Sequence, residues 1–183
     1  MNLPINTIKV DNDLYLKIWD INYSSELFKL TDQNRKYLQP WLPWVPSVKY
    51  ENDSIKFITR VIKEMKNGEG LELGIWYQNK LVGCIGLHGL SKSNRRASIG
   101  YWLSKEYQKM GIITRSVKAL VDYSFNILNL NRIAIEASTE NLSSCAVAER
   151  LGFVKEGIVR QFEYVDGKFL DYQVYSVLKF DWK

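Results

Sequence analysis

The segment Gln108-Lys109-Met110-Gly111-Ile112-Ile113-Thr114 has the make-up of a main-chain anion site. Strand-like residues precede it and a helical pattern follows it, so several backbone N–H groups converge on one volume at the positive end of a helix. Gly111 lets a ligand come close to that backbone. Lys105, Lys109, Arg115 and Lys118 surround the segment and add Coulombic attraction for a multiply phosphorylated ligand. The same pattern also describes an ordinary strand-to-helix turn with a solvated basic rim. Neither the GxxxxGKS/T spacing of a nucleotide-hydrolysing loop nor the GxGxxG of a dinucleotide fold is present, so the residues support neither a kinase nor a dehydrogenase.

Charge is concentrated near this loop. The chain carries 25 Lys and Arg against 20 Asp and Glu. Between Lys92 and Lys118 stand Lys92, Arg95, Arg96, Lys105, Lys109, Arg115 and Lys118 with Glu106 as the single acid. A surplus held in one segment points to a localised anionic ligand rather than a coat of nucleic acid. Direct nucleic-acid binding is not expected, because the only aromatics interleaved there are Tyr101, Trp102 and Tyr107, and the first two fit a strand. His88 is the only histidine, which excludes a multi-histidine metal site and weakens a Ser-His or Cys-His nucleophile. Cys84 and Cys145 stand apart with no CxxC spacing, so a reducing compartment is expected and a metal is not. Met1 to Val10 holds no apolar leader and no run reaches about 18 apolar residues, which predicts a soluble cytoplasmic protein without a membrane partner.

The elements that must position these residues follow from periodicity. Ile5 to Trp19 alternates apolar positions around a turn at Asp11-Asn12-Asp13, as a hairpin does. Ser24 or Ser25 is expected to cap a helix running to about Asn34, and the prolines of Tyr37 to Pro46 interrupt helix with an aromatic-rich loop. Asn52 or Asp53 is expected to cap a second helix, with Ile55, Ile58, Ile62 and Met65 on one face, stopped by Gly68 and Gly70. Strands are predicted at Leu71 to Tyr77, Leu81 to Gly89 and Ala97 to Leu103, then a helix from Thr114 to about Ile127 and a strand from Arg132 to Ala137. Asn141 opens a short helix ending at Leu151-Gly152, and Phe153 to Tyr164 with Phe169 to Phe180 form a hairpin around Asp166-Gly167. With 183 residues, 46% of them apolar, and no linker, one domain over 1–183 is expected. This order of elements predicts an α+β or α/β sandwich around one twisted sheet.

Together, Ala97-Ser-Ile-Gly-Tyr-Trp-Leu103, Gln108 to Thr114, Asn141-Leu-Ser-Ser144 and Leu151-Gly-Phe153 resemble the GNAT superfamily of acetyl-CoA-dependent N-acetyltransferases, over nearly the whole chain. Tyr37-Leu-Gln-Pro-Trp-Leu-Pro-Trp44, the Ile99 to Leu103 strand and the run from Gly152-Phe153 to Glu163 look like its RimJ/RimL branch, which acetylates the amino termini of ribosomal proteins. The resemblance implies an acyl-CoA N-acyltransferase fold, with a central twisted mixed sheet flanked by helices, and acetyl-CoA as cosubstrate. The superfamily pattern is Gln/Arg-x-x-Gly-x-Gly/Ala; Gln108, Gly111 and Ile113 stand at its marked positions, and Ile113 departs from the small-residue rule, as the Rim-type branch accepts. By the same resemblance the amides of Gln108, Lys109, Met110, Gly111, Ile112, Ile113 and Thr114 cradle the CoA pyrophosphate. Pantetheine then lies along Trp102, Leu103 and Ser104, in a splay between the strand ending at Leu103 and that at Arg132 to Ala137, and an N–H near Leu103 polarises the thioester carbonyl.

Acetyl transfer needs a neutral amine, a polarised carbonyl and a stabilised leaving thiolate. The family's Asn-x-x-Ser falls on Asn141 and Ser144, which implies that Asn141 contacts pantetheine and that Ser144 is the acid at the sulfur; a helix cap at Asn141 is compatible with this. The resemblance places Glu163 as the base acting through water, a modest task for an α-amine of pKa about 8. Glu136 ranks second and Glu72 third. His88 reads as packed or solvated, Cys145 as packing, and Trp41 and Trp44 as core more than acceptor channel. The expected acceptor is a protein N-terminal α-amine, with small amines, antibiotics or polyamines, or a non-catalytic CoA- or RNA-binding module, as alternatives. Rim-type enzymes are often dimers, which makes a homodimer an expectation.

Overall fold

Alternating side chains sort the strands into one sheet with two different faces. In the computed structural model, which describes residues 6–183, the strands are β1 (Thr7–Lys9), β2 (Leu14–Ile18), β3 (Leu71–Tyr77), β4 (Lys80–Ser91), β5 (Arg96–Leu103), β6 (Arg132–Ser138), β7 (Val154–Val165) and β8 (Lys168–Leu178). The readings at Met1 to Ile5 lie outside the described residues. Sheet order is β1-β2-β3-β4-β5-β6-β8-β7, and every neighbouring pair is antiparallel except β5 with β6. This is the single sheet that element order predicts and the mixed one that the resemblance implies.

Helices α4 (Ile112–Asn126) and α5 (Leu142–Arg150) cover one face, where Val117, Leu120, Val121 and Phe125 pack on Leu73, Ile75, Ile99 and Ile133. Each such side chain, fully buried, contributes roughly 1.5–3 kcal/mol. Helices α1 (Ser24–Gln33) and α3 (Glu51–Asn67) cover the other face, where Leu27, Leu30, Ile58 and Val61 meet Trp19, Trp76 and Cys84. A short α2 (Arg35–Leu38) and a turn of 3-10 helix at Val45–Ser47 overlap the two ends of the Pro-rich segment Tyr37 to Pro46 expected to be loop.

Helix starts differ from expectation. Ser24 is already helical and buried, its hydroxyl donating to Glu51, because a 3-10 turn capped by Asp20 precedes α1. Helix α3 begins at Glu51; Asp53 is its third residue, and its carboxylate accepts from the Lys49 and Tyr50 N–H groups. Helix α4 begins at Ile112 rather than Thr114, since Gly111, at φ 70°, turns the chain and the buried Ile112 anchors the first turn. At Asp166 and Gly167, both at positive φ, the expected hairpin turn is found, and Gln78-Asn79 makes another of the same kind.

Candidate active site

The parallel pair β5–β6 stays in register only for Arg96–Arg132, Ala97–Ile133 and Ser98–Ala134; beyond these the strands diverge. The gap opens into a groove of about 590 Å³ that runs from Gly111 past Tyr101 and Ser144 to Glu136 and Glu163. Antiparallel alternation decides which amides face it. Ser104 N–H donates to Val82 O at 2.8 Å, so Trp102 and Gly100 turn their N–H groups toward β4, and Tyr101 and Leu103 turn theirs toward the splay. The Leu103 N–H is therefore directed at the groove, on the side where the resemblance implies a polarising donor.

One end of the groove is the start of α4. This 15-residue helix has no side-chain N-cap, and its first helical bond is Arg115 N–H to Gly111 O, which leaves the preceding amides to a ligand. A Cβ on Gly111 would meet nothing within 4 Å; the position needs glycine for its φ and for open approach. Lys109 also adopts positive φ, at 63°. An uncapped helix end beside a residue-free approach suits a diphosphate. The basic rim is thinner than expected: Arg115 pairs with Asp11 and Asp13, and Lys118 with Asp122. Arg150, which sequence reading missed, borders the groove and donates to Thr114 Oγ1 at 2.9 Å.

Midway along the groove, Ser144 lies in the first turn of α5. Asn141 is the N-cap, accepting from Ser144 N–H at 3.2 Å, so the expected cap is present and its side chain borders the groove as well. The Ser144 and Tyr101 hydroxyls are 2.9 Å apart. Burial pushes the Tyr101 phenol up to about 12, against the smaller opposing effect of the Ser144 bond, so it keeps its proton at neutral pH. Tyr101 was read only as a strand residue; the pairing spans 43 residues and leaves no local signal.

The far end holds the acids. Glu163 accepts from the Tyr172 hydroxyl at 2.5 Å, and burial with that carboxylate holds the phenol above its usual range. Glu136 borders the same groove, whereas Glu72 lies on the α1/α3 face with a side chain 13% exposed. His88 is half solvated beside Glu72. Trp102, placed by resemblance along pantetheine, directs its indole to the α1/α3 face and its N–H and carbonyl to β4, so it borders the groove without aiming a polar group into it. Trp41 and Trp44 join none of the buried clusters; both border the groove, Trp44 with its ring 6.2 Å from Trp102, so channel lining replaces the core reading. Cys145 is buried, its thiol 3.6 Å from Ser138 O, as packing requires.

Two further residues shape the site without a sequence signal. Asn34, buried, donates to Leu30 O and accepts from Ser104 Oγ and Lys105 N–H, tying the turn after β5 to α1. The Tyr37 hydroxyl bonds the Gln108 amide. Among the described residues no helix is long and apolar enough to cross a membrane, and no group of three metal-ligating side chains occurs.

A mixed sheet split after a short parallel pairing, with an uncapped helix end at the mouth of the split, defines a class of protein that grips an elongated diphosphate-bearing carrier by its main chain. Comparison with known proteins makes this specific. Residues 14–154 match the acetyltransferase (GNAT) domain. YdaF of Bacillus subtilis (strain 168), named as a candidate ribosomal N-acetyltransferase, is 36% identical over 181 residues, covering 97% of each chain. The ribosomal-protein-serine acetyltransferase of Escherichia coli (strain K12) is 31% identical over 170 residues, covering 93% of this chain and 95% of its own. The solved structure of RimL, a ribosomal L7/L12 alpha-N-protein acetyltransferase in complex with coenzyme A, superposes with a TM-score of 0.92 at 29% identity, over 94% of this chain and 98% of that one. The chain belongs to the GNAT acetyltransferase family and is an acetyl-CoA-dependent N-acetyltransferase.

Proposed function

We propose that the protein, as one domain over 1–183, acetylates the N-terminal α-amine of a protein, with a ribosomal protein as the acceptor, by direct attack in a ternary complex. The observation that carries this is the split between β5 and β6, with the uncapped α4 end at one side and Glu163 at the other. The names of the B. subtilis and E. coli relatives support the acceptor.

The amides from Lys109 to Thr114 hold the carrier's diphosphate, the Gln108 N–H being bonded to Lys105 O, and Leu103 and Asn141 border its arm, whereas the expected Ser104 is buried, its N–H on Val82 O and its hydroxyl on Asn34. Bound acetyl-CoA supplies the activated acyl group. Leu103 N–H stabilises negative charge on the carbonyl oxygen. Ser144 Oγ, backed by the Tyr101 hydroxyl, donates to the departing sulfur, and Glu163, fixed by Tyr172, accepts the amine proton through water. We place the protein in the cytoplasm and read it as a homodimer, on the grounds that edge strand β7 exposes Val154, Ile158, Val159 and Phe162 beside Tyr164 and Phe169; light scattering tests this.

The deciding assay is thiol release from acetyl-CoA with peptides beginning in Ser or Ala, with spermidine as the small-amine comparison. Turnover on the peptides is expected. Turnover on spermidine alone transfers the acceptor to the small-amine class, and CoA binding without turnover on any amine removes catalysis.

A further inference from the structure

A second cavity, of about 650 Å³, lies on the α1/α3 face, and His88, Gly100, Tyr101 and Trp102 border both it and the groove. Register aligns Glu72, Gly86 and Gly100 side by side across β3, β4 and β5. A Cβ on Gly86 would stand 2.0 Å from Glu72 Oε2, and one on Gly100 would stand 2.8 Å from His88 Nε2. Neither glycine has positive φ, so the backbone does not call for them; the space does. Two strand-interior glycines, each destabilising by roughly 0.5–1 kcal/mol relative to alanine, clear the floor for a carboxyl and an imidazole lying 3.6 Å apart.

Of the other charged groups lining the cavity, Lys56 pairs with Asp53 at 3.5 Å, and the rest are engaged or neutral as well. Arg60 on α3 pairs with Glu64 at 2.8 Å. His88, though more than half exposed, is held below its usual value by partial desolvation and by Arg60, and Cys84, on the same face of β4, is held well above the usual thiol value by burial and by Glu72. Burial therefore pushes Glu72 up to about 8. Phe57, Trp44 and Trp102 wall the space above it. A carboxyl kept without a committed cation, at the floor of an aromatic cavity that opens onto the groove, is complementary to a ligand that brings its own positive charge.

We propose that Glu72 receives the acceptor's primary ammonium group in this cavity, before the amine crosses to the groove at Gly100–Trp102. The assignment rests on the N-acetyltransferase reading for what the ligand is. Docking of the cation ionises Glu72, and the carboxyl proton leaves to solvent past His88, whose side chain is 59% exposed.

The test is calorimetric titration of the CoA-loaded full-length protein with the tripeptide amide Ser-Ala-Ala at pH 7, in two buffers of different ionisation heat. A carboxyl near pKa 8 is about 90% protonated at pH 7, so release of roughly 0.9 proton per peptide is expected. Glu72→Gln, which keeps the shape, should raise the peptide Kd at least tenfold and abolish proton release while leaving CoA affinity in place and raising Tm at pH 7, where the unsubstituted carboxyl is destabilising. The same peptide with its amine already acetylated should bind as weakly to both proteins. An unchanged Kd in E72Q, equal uptake of the capped peptide by the unsubstituted protein, or no uptake of the free peptide overturns the assignment. Thiol release separates the two readings: binding through Glu72 without thiol release removes transfer and keeps the site, whereas turnover with an E72Q KM equal to that of the unsubstituted protein keeps transfer and removes the site.

Discussion

Replacing Gly111 with alanine separates backbone strain from ligand approach at the start of α4. At φ 70° an added Cβ costs roughly 1–2 kcal/mol for the left-handed conformation. No steric penalty adds to this, because the Cβ would meet nothing within 4 Å. For a domain of this size the loss is about 2–8 °C in Tm. The same Cβ stands where the diphosphate must approach the amides. Losing one charge-assisted amide bond costs roughly 1.5–3 kcal/mol, or about ten- to a hundredfold in CoA Kd. Gly111→Asn is the control: asparagine tolerates the left-handed region, so Tm should largely recover while CoA affinity stays weak. Thermal melts with and without CoA, together with calorimetry, read both quantities. An alanine variant that loses stability yet binds CoA as tightly as the unsubstituted protein would refute the main-chain cradle.

Three further outcomes are expected. Ser144→Ala should lower turnover with CoA affinity kept, and Tyr101→Phe should lower it less, by an amount that disappears in the Ser144→Ala background; additive effects measured by initial rates would mean the two hydroxyls act separately. Stability should fall as pH rises from about 5 to 8. There the folded Glu72 carboxyl, at about 8 against an ordinary 4.5, still holds a proton that the unfolded chain has released, so its contribution is present at low pH and lost as pH passes the folded value. At 1.36 kcal/mol per unit this amounts to roughly 4 kcal/mol, and urea titrations at several pH values should show the slope flattened in Glu72→Gln. Asn34→Ala leaves the Leu30 carbonyl, the Ser104 hydroxyl and the Lys105 N–H without their buried partner, and should cost roughly 2–4 kcal/mol by urea unfolding.

Much of the architecture was legible in residue order because burial period is a local property. Val117, Leu120, Val121 and Phe125 mark the inner face of α4, and Asp166-Gly167 marks its hairpin, whatever the rest of the chain does. Helix starts were less legible, since a cap is decided by how the chain arrives: Asp20 displaced Ser24, and Asp53 serves from the third position of α3. The basic stretch from Lys92 to Lys118 misled as a continuous rim because Asp11 and Asp13 come from the amino-terminal hairpin to pair with Arg115.

Order of residues alone determined the glycine turn into α4 at Gly111 and the Asn141 cap beside Ser144, because each rests on contacts within one or two turns of chain, and it carried the resemblance to the family. Only the folded sheet decided where the parallel pairing of β5 with β6 stops, that Tyr101 meets Ser144, that Trp102 faces away from the groove, and that Gly86 and Gly100 make room for Glu72 and His88. Those arrangements depend on strand register, and register is settled by every neighbouring strand at once: a slip of one residue would carry each of these side chains to the opposite face.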